Sequence, residues 1–141
     1  MLPGGFDLPI LKEKKIVGGG YRDNLVCPRC FSIDRDRMIY LYLTEETNIL
    51  TSPKKILQIA PEGSILAFLS GMPHLDYHDG VKYHEGYYYD RDVNILDVTN
   101  IPFEDDTFDV IICNHVLEHV EDDRKALSEI YRIMKPGAWA I

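Results

Sequence analysis

No stretch of about 18 consecutive apolar residues occurs in this 141-residue chain, so no membrane-spanning helix is expected. Cysteine is scarce: three residues, an odd number, do not make a disulfide framework and favour a reducing, cytoplasmic setting. Basic charge is short as well. Fifteen Lys and Arg stand against 23 Asp and Glu, a net charge of −8. That balance argues against loose, sequence-independent nucleic-acid binding, which needs a basic surface. The small groups Lys12, Lys14, Lys15 and Arg35, Arg37 read as solvated surface. The opening Met1-Leu2-Pro3-Gly4-Gly5 has no basic region followed by an apolar core, so no secretory signal is expected. Internal repeats and low-complexity segments are absent.

What remains is an ordinary globular composition and a length that suits one core, burying roughly 68% of the unfolded surface. Residues 1–50 read as an N-terminal extension, rich in Gly, Pro and charge, with a Cys27-Pro28-Arg29-Cys30 turn and a helix. The helix is expected from Ser32 or Asp34, either of which suits a cap, to about Leu50, with Met38, Ile39, Tyr42, Leu43 and Leu50 as its apolar stripe. Residues 51–141 alternate strands and helices. Strands are expected at Ile56–Ala60, Leu75–His78, Val93–Asp97 and Phe108–Asn114, with a fifth beginning at Ala138–Ile141. Helices are expected at Ser64–Ser70 and Asp122–Met134, the second facing inward through Leu127, Ile130, Ile133 and Met134. Such alternation predicts an α/β fold: a doubly wound, mostly parallel sheet with helices on both faces. Ligands of such sheets sit at the carboxyl ends of the strands, where strand order switches. That rule gathers Ala60–Ser64, His78–Lys82, Asp97–Thr99 and Cys113–His115 around one crevice.

Two motifs carry a family resemblance. Phe108-Asp109-Val110-Ile111-Ile112-Cys113-Asn114-His115-Val116-Leu117-Glu118-His119-Val120 reads as a buried strand entering a polar, His-bearing turn, followed by a helix and Met134-Lys135-Pro136-Gly137. Just upstream lies Asp97-Val98-Thr99-Asn100-Ile101-Pro102-Phe103. Together these resemble the region around the fourth strand of class I S-adenosylmethionine (SAM)-dependent methyltransferases, of the methyltransferase type 11 kind. The resemblance covers residues 54–141 and is densest over 93–137. It implies a Rossmann-like domain that stops after strand five, lacking the C-terminal strands of a complete sheet. An uncovered sheet edge invites association, so a homodimer or marginal stability is expected.

The resemblance also implies a SAM site. Ala60, Pro61, Glu62 and Gly63 fall where the family carries a Gly-x-Gly-x-Gly turn against the methionine part of the cofactor. Glu62 would reach the cofactor's ammonium group or fill its space. Asp79, with Asp76 as runner-up, is the candidate to hold the ribose hydroxyls, since a carboxylate accepts both. If Val81 takes that place, ribose recognition is lost. Asp97 would accept from the adenine amino group with Val98 beside the ring; the alternative is an Asp that closes its own turn. Asn114 and His115 would contact the cofactor from the end of strand four. His115 is the weak candidate for a general base, its ordinary pKa lying near neutrality, while Glu118 and His119 read as structural. The aromatic run Tyr83–Asp90 suits stacking on a flat group or packing of a surface loop. Cys27 and Cys30 form half of a zinc knuckle with no second pair, so no metal is expected.

The expected function is therefore SAM-dependent methyl transfer to an unidentified acceptor. The alternative is a non-catalytic Rossmann module serving as a binding domain. A nucleotide-sugar or glycosyl-transfer accessory role rests on fold analogy alone.

Overall fold

The structure, a computed structural model, describes residues 1–14, 20–82 and 94–141. A small antiparallel pair, β1 (Leu2–Gly4) and β2 (Arg22–Val26), flanks a short helix α1 (Pro9–Glu13). Helix α2 (Asp34–Glu45) leads into the main sheet: β3 (Lys54–Ile59), α3 (Gly63–Ser70), β4 (Leu75–Gly80), β5 (Phe108–Ile112), α4 (Asp123–Ile133) and β6 (Met134–Ala140). The sheet has four parallel strands in the order β4-β3-β5-β6. Strand order switches between β3 and β5, the place expected for a ligand cleft.

The strands alternate their side chains between two cores. On one face, Leu57 and Ile59 of β3 and Phe108 and Ile111 of β5 pack with Ala126, Ile130 and Ile133 of α4. On the other, Ile56, Val110 and Ile112 pack with Ile39 and Leu43 of α2, Ile49, and Ile65 and Leu69 of α3. Each such fully buried aliphatic side chain contributes about 1.5–3 kcal/mol. The sheet is thus doubly wound, as expected. The boundary drawn at residue 50 lies between segments that share this second core.

Helix boundaries shift for local reasons. Neither Ser32 nor Asp34 caps α2. The carboxylate of Asp36 accepts the Ile33 N–H at 3.0 Å from inside the first turn and the Ser64 hydroxyl at 3.1 Å, joining α2 to α3. Asp34 instead pairs with Arg22. At the far end α2 stops at Glu45, because Glu45 and Glu46 oppose the helix dipole and the Thr47 hydroxyl takes the Leu43 carbonyl at 2.6 Å. Ile49, rather than Leu50, then enters the core. On α4, Asp122 caps through the Lys125 N–H at 2.9 Å. Leu127 is exposed, contrary to expectation, because Ala126, Ile130 and Ile133 define the buried stripe and Leu127 falls beside it.

Strand ends shift too. β3 begins at Lys54 and stops at Ile59 because Ala60 turns to φ +51°. β5 ends at Ile112, two residues early. β6 begins at Met134 rather than Ala138: Met134 pairs with Phe108, the chain bulges through Pro136 and Gly137 (φ +82°), and Trp139 rejoins opposite Val110. Of the expected third strand, Val93 lies outside the described residues. Ile95 bridges Val81 in parallel, and Leu96 donates to the Val81 carbonyl at 2.9 Å, so this segment extends the sheet beyond β4.

Candidate functional site

A cleft of about 1190 Å³ opens at the carboxyl ends of the strands. Its walls include Ala60 and Pro61 after β3, Val81 and Lys82 after β4, Asp97, Val98 and Thr99, and His115 with the turn beyond it. Among the described residues, four of the six backbone positions with φ above zero are not glycine; two of these, Ala60 (φ +51°) and His115 (φ +53°), sit on this cleft. Left-handed backbone costs a non-glycine residue about 1–2 kcal/mol, and such strain gathers where geometry serves a ligand.

The turn after β3 resolves the question raised by Glu62. Gln58 is fully buried on β3, accepts the Tyr77 hydroxyl at 2.8 Å and donates to the Glu62 carboxylate at 3.0 Å. Glu62 is thereby drawn back over the start of α3, and it does not line the cleft. Gly63 is the first residue of α3, with open space where a Cβ would stand. Ala60 and Pro61 are therefore part of the wall of the cleft on this side.

On β4, Asp79 sits in register with Gln58, on the sheet face opposite that of Gly80 and His78, and its carbonyl accepts the Asn94 amide at 3.0 Å. Asp76 lies near the strand's amino end, tied to Lys55 at 3.6 Å and His78 at 2.9 Å. Neither carboxylate lines the cleft; Val81 and Lys82 occupy its lip. Of the expected third-strand residues, Asp97 and Val98 both reach it. Asp97 Oδ1 accepts the Thr99 N–H and the Thr99 hydroxyl, each at 2.8 Å. The Thr99 N–H, then its hydroxyl, then Lys82 and Lys125 hold this carboxyl below its usual range. Both bonds fall on Oδ1, leaving Oδ2 without a hydrogen-bond partner among the described residues. Asp97 thus closes its own turn and keeps one acceptor for a ligand.

Beyond β5 the chain divides the space. His115 lines the large cleft and also a second pocket of about 490 Å³, whose other walls include Arg35, Met38 and Tyr42 of α2, Asn114 and Ile141. The Asn114 Nδ2 is buried there without a hydrogen-bond partner among the described residues. The His115 Nδ1 lies 2.9 Å from a Glu118 carboxylate oxygen. The turn's own backbone N–H, then His115 and His119, keep Glu118 below the usual carboxylate range. Burial, helped by Glu118, pushes the Cys113 thiol up to about 11 and so disfavours its thiolate.

The sequence did not reveal one network beside the cleft. Arg132 on α4 holds Glu129 through two bonds of 2.8 and 2.9 Å, Asp105 at 2.8 Å, and the Ile101 and Phe103 carbonyls at 2.9 and 2.8 Å. Glu129 in turn accepts the Ile101 N–H at 2.9 Å. This pins the segment after Asp97 to α4. Its only sequence signal was the i, i+3 spacing of Glu129 and Arg132.

The Cys27 thiol stays below its usual range, chiefly through the Cys30 and Arg29 N–H groups. Among the described residues no three His, Cys, Asp or Glu side chains converge as metal ligands. The aromatic run Tyr83–Asp90, including His84, lies outside the described residues.

The sheet order and the cleft at its switch point define a Rossmann-like, doubly wound α/β fold. Residues 77–141 match the family of methyltransferase domains. A demethylmenaquinone methyltransferase of Streptomyces avermitilis is 51% identical over 41 residues, which span 29% of this chain and 18% of that protein. The chain thus matches less than a fifth of that relative's length. Among solved structures, a methyltransferase-like protein of Bacillus halodurans superposes with a TM-score of 0.54 at 18% identity, covering 76% of this chain and 48% of that one. The cyclase SpnF shares the fold with a TM-score of 0.55 at 19% identity, covering 74% of this chain and 43% of its own. These structural likenesses establish the fold; the cyclase shows that the fold does not by itself fix the reaction. Among the described residues, no helix is long and apolar enough to cross a membrane.

Proposed function

We propose that the chain is a SAM-dependent methyltransferase acting on an acceptor that enters from the side of α2. The observation that carries this reading is the open cleft at the switch point, walled by Ala60, Pro61, Asp97 and His115. The residues present fit the cofactor. Small Ala60 lets the backbone approach it, the retracted Glu62 leaves room, and Asp97 retains a free acceptor for an adenine amino group, with Val98 beside the ring. Asn114 and His115 would meet the cofactor from the end of β5. Among the described residues no carboxylate lines the cleft at the lip of β4, so in this reading ribose recognition falls to other groups and Asp79 keeps at most an indirect part. When bound, SAM supplies an activated sulfonium methyl group. The chain's own part is to align the acceptor with that methyl and to exclude water. Residues 1–50 act in this reading as an extension whose α2 roofs the acceptor side. A cytoplasmic location, no nucleic-acid partner and pairing of two copies through a sheet edge belong to the same reading.

The test is thermal unfolding of the chain with and without SAM. At about 100 times the dissociation constant, a ligand that binds only the folded state adds about 2.7 kcal/mol, a clear rise in Tm. Asp97→Asn keeps an oxygen for Thr99 and removes the charge. It is expected to weaken SAM binding by about 1–3 kcal/mol, measured by titration calorimetry. A wild-type Tm indifferent to SAM overturns the reading in favour of a non-catalytic Rossmann module. An unchanged affinity in Asp97→Asn removes Asp97 from the site.

A further inference from the structure

The pocket beneath α2 and the large cleft share a wall residue, His115, and this geometry deepens the methyltransferase reading, on which the present inference rests. We infer that the smaller pocket takes a flat phenol bearing a carboxylate, that His115 is the catalytic base for its hydroxyl, and that Glu118 and Arg35 position base and acceptor.

The pocket measures about 490 Å³, within the usual range for small-molecule sites and sized for one or two rings. Met38, Ile39 and Tyr42 of α2 and Ile141 give it apolar walls. Tyr42 stands edge-on to Trp139, with ring centroids 6.1 Å apart at 81°, so an aromatic surface faces the occupant's side. Met38 is 72% exposed and Tyr42 42%, large apolar groups left open at a site that a flat ring would cover. The cation on this wall is Arg35. Its ion-pair partner among the described residues is Asp36 Oδ1, at 3.8 Å, beyond hydrogen-bond reach; the Ile33 N–H and Ser64 hydroxyl bind the other oxygen, Oδ2. A guanidinium so placed suits a carboxylate, which it grips with two parallel N–H bonds.

The base has the geometry its task needs. The Glu118 carboxylate engages Nδ1 at 2.9 Å, which holds the proton of the neutral ring on that nitrogen and leaves Nε2 as the acceptor. Nε2 has no hydrogen-bond partner among the described residues. The proton of the phenol passes to Nε2, the imidazolium is stabilised by Glu118, and the proton leaves to water after turnover. The phenolate oxygen forms its bond to the methyl carbon as the carbon–sulfur bond breaks, and that electron pair stays on sulfur. The other charged and titratable groups around His115 are Arg35 and Tyr42 on α2, Cys113 at the end of β5 and His119 in the turn. Around the cleft stand Asp97, Lys82, Glu121, Asp122 and Lys125.

The test needs no turnover. 4-Hydroxy-3-nitrobenzoate carries both required groups, and its phenolate absorbs in the visible. Titrated against the chain across pH, the bound probe is expected to ionise about one pH unit lower than the free probe, since a neighbouring base and cation favour the charged form. His115→Gln is expected to abolish that shift while leaving the probe bound. Glu118→Gln should shrink the shift, and Arg35→Gln should weaken this probe about tenfold but leave 2-nitrophenol, which has no carboxylate, unaffected. Equal far-UV spectra and Tm values exclude misfolding of His115→Gln; where it misfolds, Glu118→Gln decides. Failure of the probe to bind, an unshifted ionisation, or indifference to Arg35→Gln overturns the proposal. The SAM thermal shift on the same preparation separates the two readings. A SAM shift with a silent probe removes the phenol pocket and keeps the methyltransferase. A probe response without a SAM shift does the reverse.

Discussion

Ala60 shows how one residue position can be legible in its place and opaque in its conformation. It was expected at the cleft because it follows a strand at the switch point, and it lines that cleft. Its left-handed backbone, φ +51°, was not readable from an alanine, since only glycine advertises that conformation. An alanine here holds a backbone that glycine adopts without strain. Ala60→Gly should release about 1–2 kcal/mol of strain. The freer unfolded chain offsets about 0.4–1 kcal/mol of that. The exposed methyl loses little packing, so a small net stabilisation is expected in chemical denaturation, with SAM affinity kept or improved. A clear loss of stability would mean that the Ala60 methyl contributes more than its exposure suggests. Asp97 was readable for the same positional reason: it lines the cleft and closes its own turn on Thr99. Asp79 was less readable. Its strand runs two residues longer than the apolar pattern suggested, which moves the lip to Val81 and Lys82.

Among the elements, β3, β5 and α4 were plain in the sequence because their apolar spacing serves buried surfaces on one or both faces. β6 was not, because Met134-Lys135-Pro136-Gly137 reads as a stop. The strand accommodates it with a bulge that no periodicity announces. The join between β4 and the segment from Asn94 is equally silent in sequence, and it depends on Gly80. A Cβ there would stand 2.6 Å from the Leu96 Cβ, closer than real Cβ contacts come. Gly80→Ala should therefore destabilise by about 1–3 kcal/mol through overpacking. It should also weaken SAM binding, because Val81 and Asp97 flank the join. Stability loss with unchanged SAM affinity would uncouple this join from the site. At the centre of the sheet, Phe108 is fully buried and meets Phe103 edge-on at 4.9 Å. Phe108→Ala should cost about 3–5 kcal/mol, read as a lower denaturation midpoint.

For the molecule as a whole, the two cores explain why the sheet forms, and a few carboxylates explain how its parts keep their positions. Asp109 on β5 accepts the Lys55 N–H of β3 at 2.8 Å and the Lys135 ammonium of β6 at 2.9 Å, so one side chain ties three strands at the end away from the cleft. Burial works against its charge, but the Lys55 N–H and Lys135 outweigh that, and the carboxyl lies below its usual range. Glu129, held by Arg132 first and then by the Ile101 N–H, is lowered to about 2. A depressed carboxyl contributes stability that is present above the unfolded pKa, about 4 for Asp and Glu, and is lost as pH falls through the folded value. Tm should accordingly hold through neutral pH and fall across the acid range, down to about pH 2 for the Glu129 part. Asp109→Asn removes one contributor. It should lower stability at neutral pH by about 1–3 kcal/mol, the cost of losing a charge-assisted bond, and flatten the acid decline. Glu129→Gln should flatten the lowest part of the same curve and loosen the segment from Ile101 to Thr107, visible as faster amide exchange there. Scanning calorimetry from pH 2 to pH 7 decides the matter. Curves of wild type and Asp109→Asn that differ by a constant offset would show that the charge on Asp109 contributes nothing, and that the strands are held by their cores alone.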